Sequence, residues 1–167
     1  MQESGLHAYL DRAPLGQLIA ATRRRIKQAL WSHLTAEGLT PQQYWMLMVL
    51  IENGPHSLHD LAGKVCIDDP TACRIVKALT GRKLTASAPD PDHGRRILIR
   101  MAPGTEALQK RLKAVAARVR GGMESGFGEE EKARLRSGLM KVIANMEALE
   151  SSLLAGVTAA PARAKRA

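Results

Sequence analysis

Aromatic residues are nearly missing from this chain. They make up 3% of its 167 residues, namely Tyr9, Trp31, Tyr44, Trp45 and Phe127. The core cannot be built on rings, so the 45% hydrophobic content has to supply it from aliphatic and alanine side chains, as in helical proteins. Cysteine is limited to Cys66 and Cys73, which excludes a disulfide scaffold. No segment approaches the roughly 18 uninterrupted apolar residues of a membrane-crossing helix. The opening residues MQESGLHAYLDR lack the basic start and apolar run of a signal peptide. A cytoplasmic protein with no membrane partner and reduced thiols is expected. Catalytic patterns are missing too: no nucleophile elbow, phosphate loop or metal-ligand set is present, so neither an enzyme nor a cofactor is expected. His56-x-x-His59 with Cys66 fits no strong zinc spacing.

Acidic charge is also short. Sixteen Asp and Glu face twenty-five Lys and Arg, giving a net charge of +9 and a pI near 10.1. That excess points to a polyanionic partner, and nucleic acid fits better than a membrane because no strongly basic amphipathic surface helix stands out.

The chain is organised around Ser57 to Met101. Ser57 followed by Asp60 resembles a capping box and predicts a helix with Leu58, Leu61, Ala62 and Val65 on one face. Ile67-Asp68-Asp69-Pro70 breaks that pattern, with Asp69 expected to cap the next helix and Pro70 expected at its first position. In this second helix Ala72, Ile75, Val76 and Leu79 form the buried stripe. Pro70, Thr71, Arg74 and Lys77 are left on the opposite face. Such a face suits a recognition helix in a major groove, where Arg74 would reach a guanine edge and Thr71 a thymine methyl or a phosphate. Taken alone, it reads more readily as a solvated polar surface.

The following ribbon shifts that balance. Leu84 to Ala88 and Arg96 to Met101 are strand-like, joined by the turn-forming Pro89-Asp90-Pro91-Asp92-His93-Gly94. Ile97, Ile99 and Met101 alternate with Arg96, Leu98 and Arg100, so one face is apolar and the other partly cationic. Arg95 stands at the loop's return, placed for phosphates or a narrow minor groove, and Arg96 beside it is expected to serve the wing's DNA contact as well. A helix–turn–helix followed by a basic hairpin is a winged helix.

On these residues the sequence resembles the MarR family of bacterial transcriptional regulators. The likeness rests on Leu39-Thr40-Pro41-Gln42-Gln43-Tyr44, Asp60-Leu61-Ala62, Thr71 to Leu79, the wing Asp90 to Arg96, and Met101-Ala102-Pro103-Gly104. It covers roughly Leu15 to Leu149 and implies a homodimer that binds palindromic operator DNA, usually as a repressor. It departs in the wing, where the family's Asp-x-Arg and later Leu-Thr are His93, Arg95, Met101 and Ala102; Asp92 is the expected substitute partner for Arg95. The Gly and Arg common after the recognition helix are Lys83 and Ser87. The family often binds phenolic or aromatic carboxylate effectors between its dimer helices and winged domain. The residues of this chain suited to such a ligand are Thr22, Trp31, His33, Tyr44 and Trp45, each of which, taken alone, reads more readily as core.

The fold class expected is mainly α with a small β-wing, a winged helix–turn–helix flanked by N- and C-terminal dimerisation helices. Residues 1–37 would hold the N-terminal helix, with Leu15, Leu18, Ile19, Thr22, Ile26, Ala29, Leu30 and His33 on its stripe and Arg23-Arg24-Arg25 on a solvated face. Residues 38–102 would be the DNA-binding domain, and Tyr44 to Ile51 its central buried helix. In residues 103–154, a helix weakened at Gly121-Gly122 and broken at Gly126-Phe127-Gly128 precedes a last helix. There Leu135, Leu139, Val142, Met146, Leu149 and Leu153 keep a coiled-coil period that needs a partner helix. Residues 155–167 read as a disordered basic tail. The competing functions are a sequence-independent architectural DNA binder without an effector, and a protein-interaction module with a retired helix–turn–helix.

Overall fold

A computed structural model describes residues 9–158, with side chains through Leu153. It divides into two units, Met1–Gly122 and Met123–Ala167. The first contains α1 (Leu15–Leu34), a 3-10 turn (Thr35–Glu37), α2 (Pro41–Asn53), α3 (Leu58–Val65), α4 (Asp69–Gly81), β1 (Thr85–Pro89), β2 (Ile97–Met101) and nearly all of α5 (Glu106–Met123). The second contains α6 (Glu129–Thr158).

The centre of the first unit is α2. Thr40 starts it with a complete capping box: its hydroxyl accepts the Gln43 N–H at 3.2 Å, and Gln43 Oε1 accepts the Thr40 N–H at 2.9 Å. Tyr44, Met46, Leu47, Met48 and Leu50 are all buried, which is more than one face of a helix. Its neighbours supply the other half of the core: Leu30 and Leu34 from α1, Leu61 and Ala62 from α3, the α4 stripe, Ile99 from β2, and Leu108 and Leu112 from α5. Trp45 departs from the expected all-round burial and is 45% exposed. Burial pushes the Tyr44 phenol up to about 12, with nearby Glu52 adding to the shift.

Of the α1 stripe only Leu30 and Leu34 are buried, with Ile26 packed against the core; Leu15, Leu18 and Ile19 stand exposed. Gly38, at φ +60°, lets the chain leave the 3-10 turn in a left-handed conformation that glycine adopts without penalty.

The α3–α4 pair forms as the sequence pattern implies, with one shift. Ser57 caps α3, and all four apolar residues of the α4 stripe, Ala72, Ile75, Val76 and Leu79, are buried. The α4 cap is Asp68, not Asp69: its extended backbone brings Oδ1 to 2.7 Å from the Thr71 N–H. The first helical bond, Ala72 N–H to the Asp68 carbonyl at 2.9 Å, uses the donor that an Asp69 cap would have needed. Pro70 therefore occupies the second helical position.

The two strands pair antiparallel with Thr85 opposite Met101, Ser87 opposite Ile99 and Pro89 opposite Ile97. The hairpin's root is held by a bridge to the α2–α3 connection: the His56 N–H donates to the Ile99 carbonyl at 3.0 Å, and the Ile99 N–H returns to the His56 carbonyl at 2.8 Å. Of the expected apolar face, Ile99 is buried and Met101 half-buried, but Ile97 is 53% exposed because the ribbon's tip runs past the helices that cover its base.

Gly121 and Gly122 stay inside α5, which continues to Met123; two glycines cost about 1 kcal/mol each in helix propensity. The chain breaks where the sequence implies, at Gly126, with φ +83°. In the second unit, α6 runs to Thr158, past the Ala155 boundary expected for a tail; residues 159–167 and 1–8 lie outside the described residues. Along α6, Leu135, Leu139, Met146, Leu149 and Leu153 are each exposed by between 42% and 62%.

Two expectations follow. Lys83 has φ +57°, a left-handed conformation that costs a side chain with Cβ about 1–2 kcal/mol. Offset by the extra unfolded-state freedom of glycine, Lys83→Gly should stabilise by about 0.5–1 kcal/mol and raise Tm by about 1–4 °C in a thermal melt. Because the Tyr44 phenol is raised, the stability it contributes is complete below its ordinary value of 10 and is lost as pH climbs toward about 12. An alkaline titration followed by phenolate absorbance should show a late step near pH 12 that Tyr44→Phe removes.

Candidate nucleic-acid interface

The stripe that buries α4 determines what the helix turns outward. With Ala72, Ile75, Val76 and Leu79 inside, Pro70, Arg74 and Lys77 are exposed and Thr71 is half-buried. Arg74 does not hang freely: one guanidinium nitrogen donates to Thr71 Oγ1 at 3.0 Å, while the Thr71 N–H is itself held by Asp68. The cap thus fixes the Thr71 backbone and the Thr71 hydroxyl receives the guanidinium, which restricts Arg74 before any partner arrives. The Thr71 N–H holds the Asp68 carboxyl below its usual range, so the cap stays ionised and complements the positive end of α4. Asp69, released from capping, accepts from His59 Nδ1 at 3.2 Å, tying the starts of α3 and α4 together.

In the wing, the expected Asp92–Arg95 pair does not form among the described residues. Asp92 instead donates its N–H to Asp90 Oδ1 at 3.0 Å, and the Asp90 N–H donates to the Arg96 carbonyl at 2.8 Å. Asp90 is 8% exposed, so the buried carboxylate at the loop's start organises the turn. Arg95 is exposed at the return. Arg96, placed with it on the interface from sequence, ion-pairs with Asp60 on α3.

Residues that sequence reading passed over hold this surface in place. Glu37, in the turn between α1 and α2, receives both a 2.6 Å bond from Arg111 Nε and a 3.0 Å bond from its Nη2, a bidentate pair reaching across 74 positions of sequence. Arg82, at the end of α4, donates to the carbonyls of Gly38 at 2.8 Å and Glu37 at 2.9 Å. The two arginines clamp one turn from α4 and α5. Nothing in local pattern signals such a clamp, because each partner reads as an ordinary surface charge.

Of the candidate effector residues, the structure brings together Tyr44 and Trp45, whose rings meet edge to face at 5.2 Å. Trp31 is 52% exposed on α1, His33 is half-buried two residues on, and Thr22 spends its hydroxyl on the Leu18 carbonyl at 2.8 Å. His56 and His59 face separate partners: His56 Nδ1 meets the Gly54 carbonyl at 2.9 Å and His59 meets Asp69. Among the described residues no three His, Cys, Asp or Glu side chains gather where they could hold a metal ion. Cys66, exposed at the end of α3, and Cys73, half-buried on α4, are free thiols. No helix among the described residues is long and apolar enough to cross a membrane.

Residues 39–97, spanning α2 to the start of β2, match the model of the MarR family. A curated relative, the HTH-type transcriptional repressor NicR of Pseudomonas putida, is 27% identical over 107 residues, covering 60% of this chain and 68% of that protein. Among solved structures, the chain is similar to Bordetella bronchiseptica BpsR, in a study of regulation of its DNA binding by 6-hydroxynicotinic acid. That likeness has TM-score 0.65 at 25% identity, over 77% of this chain and 97% of BpsR. The transcriptional regulator PA3341 gives TM-score 0.74 at 27% identity, over 80% of this chain and 98% of that one.

The clamp has a pH signature. The Arg111 hydrogen bonds hold the Glu37 carboxyl below its ordinary 4.5. A depressed carboxylate contributes stability that is present above the unfolded value and lost as pH falls through the folded one. Glu37→Gln should therefore lower Tm at neutral pH by about 1–3 °C and flatten the loss of Tm below about pH 4.5, as read by melts across an acid series.

Proposed function

We propose that this chain, whose residues 39–97 match the MarR family model as a winged helix–turn–helix, is a homodimeric, ligand-responsive transcriptional regulator, acting as a repressor on a palindromic operator. The observation that carries the reading is the outward face of α4. An arginine pre-aimed by a threonine, with Lys77 one turn further on, matches what base-edge readout needs, and Arg95 on the wing adds a phosphate or minor-groove contact. The net charge of +9 per chain supports the phosphate share of binding, doubled in a dimer.

Dimerisation is supported by apolar surface that this chain leaves uncovered in each unit. Leu15, Leu18 and Ile19 on α1, and the heptad-like residues from Leu135 to Leu153 on α6, would be costly to leave in water. A second copy related by a two-fold axis would cover identical surfaces and place two recognition helices about one DNA turn apart.

The effector reading draws on the same relatives. BpsR is described with 6-hydroxynicotinic acid, a hydroxylated aromatic carboxylate, and a phenolic or aromatic acid is the class we propose here. Trp31, His33 and Trp45 would supply stacking and an anion partner, Thr22 a hydroxyl, and Tyr44 the backing that orients the Trp45 indole. Such a ligand releases DNA only by binding more tightly to the DNA-incompetent arrangement.

A gel-shift titration on DNA from upstream of the protein's own gene, beside scrambled DNA at fixed salt, tests the reading. A preference of about 10³ or more is expected for the upstream DNA, with release by one member of a panel of aromatic acids. Equal affinity for both DNAs would replace the operator reading with the architectural one. Arg74→Ala should weaken upstream-DNA binding by about 10- to 100-fold and relax base preference, whereas Lys77→Ala should weaken both DNAs alike and reduce the salt slope by about one.

A further inference from the structure

By sequence Arg96 and Arg95 form one cationic pair in the wing. The surroundings of Arg96 give it another task. The Arg96 N–H donates to the His93 carbonyl at 2.7 Å and its carbonyl accepts the Asp90 N–H at 2.8 Å, so its backbone is pinned where the wing loop closes. Its guanidinium crosses to α3, where Nη2 donates to Asp60 Oδ2. Asp60 is itself fixed: Ser57 Oγ donates to the same carboxylate oxygen at 2.7 Å, and the Asp60 N–H donates back to Ser57 Oγ at 3.2 Å. The receiving carboxylate therefore belongs to the cap of α3, one of the two helices of the helix–turn–helix. The His56–Ile99 bridge already anchors the wing's root to the segment entering α3. The Asp60–Arg96 pair adds a second attachment nearer the tip.

We propose that Asp60 and Arg96 form a latch that sets the wing's pose against α3, making both of them positioning residues for the DNA contact of Arg95 and removing Arg96 from the set of DNA-touching cations. Two attachment points along the hairpin resist rocking that a single root would permit. The latch also separates neighbouring arginines by role. Arg96 satisfies its charge within the protein, while Arg95, exposed and without an ion pair among the described residues, keeps its charge for the phosphates.

The proposal rests on the operator reading for its consequence but not for its geometry, so two measurements separate them. Backbone amide exchange of the free, full-length protein reads the latch without DNA. Asp60→Asn and Arg96→Gln should each speed exchange across the wing amides by about two- to fivefold, the range for an exposed ion pair, while Arg96→Lys restores much of the protection. Unchanged wing exchange in both variants would overturn the latch. The second measurement is salt-dependent affinity for upstream DNA. A latch predicts that Asp60→Asn and Arg96→Gln weaken binding by a similar factor of about two to five, and that the double variant is no weaker than either alone. A DNA-touching Arg96 predicts the opposite sign for the carboxylate: Asp60→Asn frees the cation and tightens binding, and Arg96→Gln reduces the salt slope by about one. That outcome would also overturn the latch. Loosened wing amides in a protein that shows no DNA preference would uphold the latch and discard the operator reading.

Discussion

Burying a helix on more than one side obliges its neighbours to come to it, and α2 imposes that constraint on the whole first unit. Tyr44, Met46, Leu47, Met48 and Leu50 point in too many directions for a single partner. The helices α1, α3, α4 and α5 and strand β2 each contribute apolar side chains to the same cluster. Because α4 must spend Ala72, Ile75, Val76 and Leu79 on this core, its polar residues have only one direction left. The polar face of α4 is thus a consequence of packing: the side chains turned outward are those the core could not use.

Polar ties then refine what packing has oriented. Caps at Thr40, Ser57 and Asp68 fix where the helices begin, and each is a local device satisfied within three residues. The longer ties work differently. Glu37, taken by Arg111 with the adjoining carbonyls taken by Arg82, joins the α1–α2 turn to the end of α4 and to α5. Asp60 joins α3 to the wing through Arg96. Exposed ion pairs contribute little to stability individually. Their importance lies in register, since an arginine fork on a carboxylate tolerates few orientations.

The pair of adjacent arginines in the wing illustrates how charge alone misleads. Both Arg95 and Arg96 are exposed and add to the same positive field, yet one ion-pairs within the protein and the other makes no ion pair among the described residues. A similar division holds for the adjacent Asp68 and Asp69, where one caps α4 and the other meets His59. In each pair the residue types are identical and the backbone position decides the role.

The helix–turn–helix, the ribbon and the long flanking helices follow from the amino-acid sequence by itself, because periodicity, caps and turn residues are local signals. The α4 stripe, the Thr40 capping box and the break at Gly126 could all be read without coordinates. So could the outward set of Thr71, Arg74 and Lys77. Tertiary structure alone decided the rest. Whether Ile97 is covered depends on how far the helices reach along the ribbon, and whether Asp68 or Asp69 caps α4 depends on which carboxylate meets the free N–H. The Glu37 clamp and the Asp60–Arg96 pair join residues 74 and 36 positions apart. No sequence period connects such residues. Only a chain already folded around α2 brings their charges within hydrogen-bond reach.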